Sequence, residues 1–300
     1  MNLIKKIEAE EIVWIDILKP NEKTLDFLKK IYYFHPFLLK NILPPLRHPR
    51  FENYGEYFFI VFHYPFFNQK TGTVEPREVD IIVGKEFLIT LHYQNILPLR
   101  RLFIKSSLYP KEKEKWAKEG TGKILYLVFS EMLKEILPRL DRIDKEIDQI
   151  EKIVFSGEHK KALEKIEKIK KNLIQLERII HPQLPLFKSL KDESARFFGK
   201  EFYPLFNEIF NLFLNVKEII ETHHQTLNEL EETNSNLLNI KTNEIMKFLT
   251  IIATIGLPLS LIFSFFGMNF HFEVSLKEIF FLSFLSVGSF LLFLKIKKWI

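Results

Sequence analysis

Asn269 stands in a short segment, Gly267-Met268-Asn269, between two apolar runs, where a side-chain amide has two chemical uses, holding a cation or capping a turn. A small dication such as Mg²⁺ dehydrates reluctantly, and a neutral amide oxygen can hold it through its retained waters without stripping them. Such an oxygen also binds weakly enough to release the ion. Gly267 permits a tight turn and Met268 packs locally; a polar turn capping a helix is the other use of the same residues. Upstream, Ser235, Asn239, Thr242, Met246, Leu249, Ala253, Leu257, Ser260 and Ser264 advance by three or four residues at each step, so they share one helix face. That stripe is polar, then apolar, then polar again. A hydrated channel, an apolar constriction from Met246 to Leu257 that gates by dewetting, and a hydroxyl segment leading to Asn269 would read this way. Ser and Thr also serve close helix packing in membranes. The amide-rich stretch 234–243 fits a wet lumen better than a buried apolar bundle.

These residues must be held by elements of known length. Residues 248–266 and 279–294 carry no charge, and as helices they reach about 28 and 24 Å, close to the thickness of a bilayer core. The two runs predict a transmembrane hairpin. Lys241 and Lys247 flank the first span, and Lys295, Lys297 and Lys298 form a basic cluster after the second. Cationic flanks stay cytoplasmic, so both termini are expected in the cytosol and the loop with Asn269 outside. Met1 to Glu8 lacks the apolar core of a signal peptide, so the polar portion is expected to stay where it is made. The chain has no cysteine, which excludes disulfides and thiolate metal sites. Its net charge of +5 sits at the span flanks and on helical faces of mixed sign, which disfavours nucleic acid as a partner. No Gly-rich loop with a Lys-Ser/Thr pair and no evident catalytic carboxylate pair is present, so the reading is of a non-enzyme.

The expected order is an α/β cytosolic domain at 1–120, an antiparallel helical hairpin at 121–191, and a long stalk helix at 192–247. A pore-lining span at 248–266, an external loop at 267–276, a second span at 277–295 and a basic tail at 296–300 complete it. Strands are predicted at 11–17, 56–64, 79–84 and 87–92, with a turn at Asn68-Gln69-Lys70-Thr71-Gly72. Helices are predicted at 21–31 and after Pro98. Ile136, Leu140, Ile143, Ile147, Ile150 and Val154 give the first hairpin helix, and Ser156-Gly157 breaks it. A second runs from about His159 to Ile180 and is expected to end near Pro182 and Pro185. The stalk is expected from about Asp192, with a kink or a later start at Pro204. A helix of that length implies lateral partners, and two spans per chain cannot enclose a pore, so several copies are needed.

Gly267-Met268-Asn269 after a first span and before a last one resembles the signature of the CorA family of divalent-cation channels. The stretch Thr242-Asn243-Glu244-Ile245-Met246-Lys247-Phe248-Leu249-Thr250-Ile251-Ile252-Ala253-Thr254-Ile255, with Pro258, is similar to that family's pore helix. Trp14, His35-Pro36, Tyr57-Phe58-Phe59-Ile60-Val61 and Leu88-Ile89-Thr90 extend the resemblance more loosely. It implies a homopentameric funnel in the cell inner membrane, with the first span on the axis and Gly267, Met268 and Asn269 as filter. It also implies Mg²⁺ as transported and regulatory ion, Co²⁺ and Ni²⁺ as further substrates, and no cofactor beyond the ion. By register, Glu208 and Glu232 fall where the family carries acidic regulatory residues; plain exposed helix carboxylates are the alternative. The Asn68-Gln69 turn, near where a partner would be sought, has no carboxylate. The loop also departs from the family: Phe270-His271-Phe272-Glu273 has one carboxylate and no proline, so its negative ring is weaker. His271 is either a polar loop residue or a ligand favouring Zn²⁺, Co²⁺ or Ni²⁺. His223-His224 reads as helix decoration. A Zn²⁺ transporter of the ZntB type and a non-conducting membrane-anchored scaffold are the competing functions.

Overall fold

Short runs of β-branched and aromatic residues, closed by turn formers, build the strands of the N-terminal portion. The computed structural model describes residues 3–43, 48–68, 70–267 and 275–297, and the chain divides into two units, Met1–Glu231 and Glu232–Ile300. In the first unit lie β1 (Leu3–Ala9), β2 (Ile12–Leu18), β3 (Arg50–Asn53), β4 (Tyr57–Asn68), β5 (Thr73–Gly84) and β6 (Phe87–His92). They form one sheet in the order β1-β2-β6-β5-β4-β3. Every pairing is antiparallel except that of β2 with β6. The four predicted strands are β2, β4, β5 and β6. The added edge strands, β1 and β3, interleave charge with apolar residues, as exposed edges do.

The run from Tyr57 to Tyr64 is almost continuously apolar because helices cover both faces of the sheet. On one face lie α1 (Glu22–Ile31) and α2 (Pro36–Ile42). Asn21 caps α1: its Oδ1 accepts the Thr24 N–H at 3.1 Å while Thr24 Oγ1 accepts the Asn21 N–H at 3.2 Å. Leu28, Leu38 and Ile42 pack there in one cluster with Phe59, Val61, Ile82 and Ile89. Four more helices follow the sheet in sequence: α3 (Leu97–Leu108), α4 (Pro110–Glu119), α5 (Thr121–Lys134) and α6 (Leu137–Phe155). Then come α7 (His159–Ile180), α8 (Leu184–Phe197), α9 (Tyr203–Gly267) and α10 (Leu276–Ile296). The second sheet face is closed by aromatic side chains of this series. Trp14 meets Phe103 of α3 edge-on at 4.9 Å, and Phe62 meets Phe129 of α5 at 5.5 Å and Phe187 of α8 at 5.9 Å. Phe187 in turn stacks on Phe213 of α9 at 4.3 Å.

Two expected boundaries change. The hairpin consists of α6 and α7, turned at Gly157 with φ 82°, whereas α5 belongs to the layer on the sheet. The second hairpin helix, α7, ends at Ile180, close to Pro182 as expected, and a 3-10 turn, His181–Gln183, then leads into α8. Pro185 lies in the first turn of α8, where a missing N–H costs nothing. The stalk helix therefore starts at Tyr203 and not near Asp192. Gly199, with φ 124°, ends the preceding segment, and Pro204 occupies the first turn of α9.

Candidate functional site

In the second unit, two helices are long and apolar enough to cross a membrane, ending at Gly267 and running over Lys277–Ile296. The first of them, α9, bears every residue of the stripe, and all nine side chains from Ser235 to Ser264 are exposed. Leu257 leaves 65 % of its surface uncovered. From 246 to 267 the less exposed residues are Ile251, Thr254, Ile255, Pro258, Leu259, Ile262 and Phe266. At 3.6 residues per turn their mean direction lies roughly 180° from that of the stripe. Within this two-helix unit α10 meets α9 where the Phe263 and Phe280 rings stand 6.3 Å apart, and Ile279, Ser283, Ser286, Val287, Phe290 and Leu294 are its own less exposed residues. The stripe thus points away from the paired helix.

Several hydroxyls along α9 are bonded inside the helix. Thr242 Oγ1 donates to Leu238 O at 2.9 Å and Ser260 Oγ donates to Leu257 O at 3.1 Å. Off the stripe, Thr250 and Thr254 donate to Met246 O and Thr250 O at 2.8 and 2.6 Å. Each keeps an acceptor lone pair directed outward, so hydroxyls on the stripe can meet a hydrated cation with an oxygen. Pro258 lacks the N–H that would bond Thr254 O, yet the helix continues through it to Gly267. Gly267 is the last residue of α9. Met268, Asn269, His271, Glu273 and Lys298 lie outside the described residues. Lys295 and Lys297 are exposed at the end of α10.

Of the two acidic candidates, Glu208 is exposed and accepts a hydrogen bond from Tyr126 Oη at 3.1 Å. Burial, and then that bond to Glu208, raise the Tyr126 hydroxyl above the ordinary tyrosine range. Glu232 is exposed as well. The β4–β5 turn does have a carboxylate beside it: Asn68 Nδ2 donates to Glu75 Oε1 at 3.0 Å. Sequence reading missed Glu75 because only the strand register, which sets it opposite Phe66, brings it to the turn. His223 and His224 are more than decoration. His223 Nε2 lies 3.3 Å from Asp144 Oδ1, and His224 Nδ1 lies 2.9 Å from Glu177 Oε1. Among the described residues, no three His, Asp or Glu side chains are already gathered as a metal site.

The pattern of CorA-like Mg²⁺ transporter proteins matches residues 9–298 of the chain. The cobalt/magnesium transport protein CorA of Thermotoga maritima is 26% identical over 254 residues, covering 83% of this chain and 70% of that one. The complete structure of the CorA magnesium transporter from Methanocaldococcus jannaschii superimposes with a TM-score of 0.80 at 23% identity, covering 98% of this chain and 93% of that chain. The ZntB cytoplasmic domain from Vibrio parahaemolyticus gives 0.61 at 12% identity over 77% of this chain and 89% of its own, a likeness of fold.

Proposed function

The chain belongs to the CorA-like Mg²⁺ transporter family, and from that premise we propose that it is a homopentameric, potential-driven channel for Mg²⁺, with Co²⁺ and Ni²⁺ as further substrates. The observation that carries this reading is the exposed stripe on α9, directed opposite to the face shaded by its partner helix. A ring of copies would bring those stripes to a common axis, with α10 outside. The route then runs from the amides and hydroxyls of Asn239 and Thr242 through the apolar ring of Met246, Leu249, Ala253 and Leu257. Ser260 and Ser264 lead on to the filter at Gly267, Met268 and Asn269, which would bind the ion through its waters.

Both termini face the cytosol of an inner membrane in this proposal, since Lys241, Lys247, Lys295 and Lys297 flank the spans. Uptake needs no nucleotide: a dication moving to the negative side gains about 4.6 kcal/mol per 100 mV. Glu208 and Glu232 are the proposed acidic sensors of cytosolic Mg²⁺, closing the apolar ring when occupied.

The test is ion flux into vesicles holding the purified protein, with Mg²⁺, Co²⁺, Ni²⁺ and Zn²⁺ offered in turn under an inside-negative potential. Mg²⁺ entry that scales with the potential and needs no proton gradient supports the proposal. Zn²⁺ entry without Mg²⁺ entry overturns it in favour of a ZntB-type carrier, and no flux from intact oligomers overturns transport altogether.

A further inference from the structure

Helices α7 and α9 run antiparallel along a seam of cross-helix ion pairs, all within the first unit. Lys170 Nζ contacts Glu231 Oε2 at 2.7 Å, His224 Nδ1 contacts Glu177 Oε1 at 2.9 Å, and His181 Nε2 contacts Glu221 Oε1 at 2.6 Å. Lys217 Nζ also reaches Glu221 Oε1 at 2.6 Å. Two neighbouring rungs are thus histidine–carboxylate pairs of opposite polarity. Glu177 lies in the last turn of α7 and His181 four residues on, at the start of the 3-10 turn that follows, while Glu221 and His224 are three apart on α9, so the two rungs are separated by roughly one helical turn, about 4.5–6 Å. Spacings of three and four put ligands on one face, and Glu221 and His224 have the Glu-x-x-His spacing that holds metals in helical bundles, while Glu177 and His181 are one residue further apart.

We propose that Glu177, His181, Glu221 and His224 form a site for one transition-metal dication of the Zn²⁺ or Co²⁺ class, clamping α7 to α9. The four side chains are partly exposed, so an ion has a way in. Two carboxylates and two neutral imidazoles balance a dication's charge, and Lys217 is left free to turn into solvent. As placed, each histidine bonds the carboxylate facing it, and the four do not converge on one point. Binding requires the two rungs, about 4.5–6 Å apart along the helices, to close on one another while each pair opens. Ligands around a tetrahedral Zn²⁺ at about 2.0–2.1 Å stand about 3.3 Å apart, so the 2.6 Å contact must open by roughly 0.7 Å. Imidazole selects this class over Mg²⁺, which prefers oxygen and water. His223, one residue away, belongs to a different contact, with Asp144 of α6.

The experiment titrates the full-length protein in micelles with Co²⁺ while excess Mg²⁺ fills oxygen-only sites, reading visible d–d absorption and X-ray absorption for imidazole nitrogen. The double variant His181→Gln, His224→Gln should bind one Co²⁺ per chain fewer than wild type. Glu177→Gln, Glu221→Gln should weaken that equivalent at least tenfold, and His223→Gln should retain it; melting curves check that each variant is folded. The readout is a difference, so an ion held elsewhere, at His271 for instance, does not enter it. Equal Co²⁺ uptake by wild type and the histidine double variant overturns the proposal, as does the absence of imidazole-bound Co²⁺ in wild type.

Discussion

Asp80 lies on β5 with 1 % of its surface exposed, two residues from the equally enclosed Glu78. Burial, and next the negative Glu78, hold its carboxyl well above the usual range, with Arg50 pulling weakly the other way. A carboxyl whose folded-state pKa is raised binds its proton more tightly in the native chain than in the unfolded one. Its stabilisation is complete below the unfolded value, about 3.9, and is lost as pH rises through the folded value. Asp80→Asn should therefore flatten the fall in melting temperature above pH 4; an unchanged slope in thermal scans would contradict this assignment. The charge in Val79-Asp80-Ile81 gave no sign of burial in the sequence, because the helices that cover β5 come from elsewhere in the chain. Asn269 is the opposite case: its flanks and the long match upstream single it out in the sequence, while it lies outside the described residues. Asn269→Ala should abolish selective Mg²⁺ uptake in vesicles while leaving assembly intact, and normal uptake by that variant would remove the filter assignment.

Element boundaries show where periodicity suffices and where it fails. The apolar steps of α6 and α7 and the stripe of α9 were readable because each repeats over many turns. The entry into α8 was not, since a proline reads as a stop in sequence but serves equally in a first turn, whereas the later start of α9 was one of the two readings Pro204 allowed. Edge strands β1 and β3 mix charged with apolar residues, so they lack the dense apolar signal of the inner strands. Phe187 of α8 shows what that missed helix does: fully buried, it bridges the sheet at Phe62 and α9 at Phe213. Phe187→Ala should destabilise the first unit by about 3–5 kcal/mol, measured by denaturant unfolding, through the cavity it leaves. On α9, replacing both Met246 and Leu249 with glycine should leave the channel leaky at high internal Mg²⁺. Full closure in that variant would argue against an apolar gate there.

At the scale of the whole molecule, two spans and one exposed stripe per chain call for an assembly. Native mass spectrometry of the detergent-solubilised protein should return five copies; any other number refutes the pentamer. The need for several copies was legible in the two-span count, whereas the number came only with the family resemblance. The α9 geometry has a further experimental use, because the chain contains no cysteine at all. Any thiol introduced by substitution is then the sole reactive handle in its subunit. Walked one residue at a time from 246 to 264, such handles should react with a water-borne reagent in a wave of about 3.6 residues. The crests would fall on Met246, Leu249, Ala253 and Leu257, and the troughs on Pro258 and Ile262. A lipid-soluble reagent would trace a wave of different phase, so the protein can serve as its own ruler for where water ends.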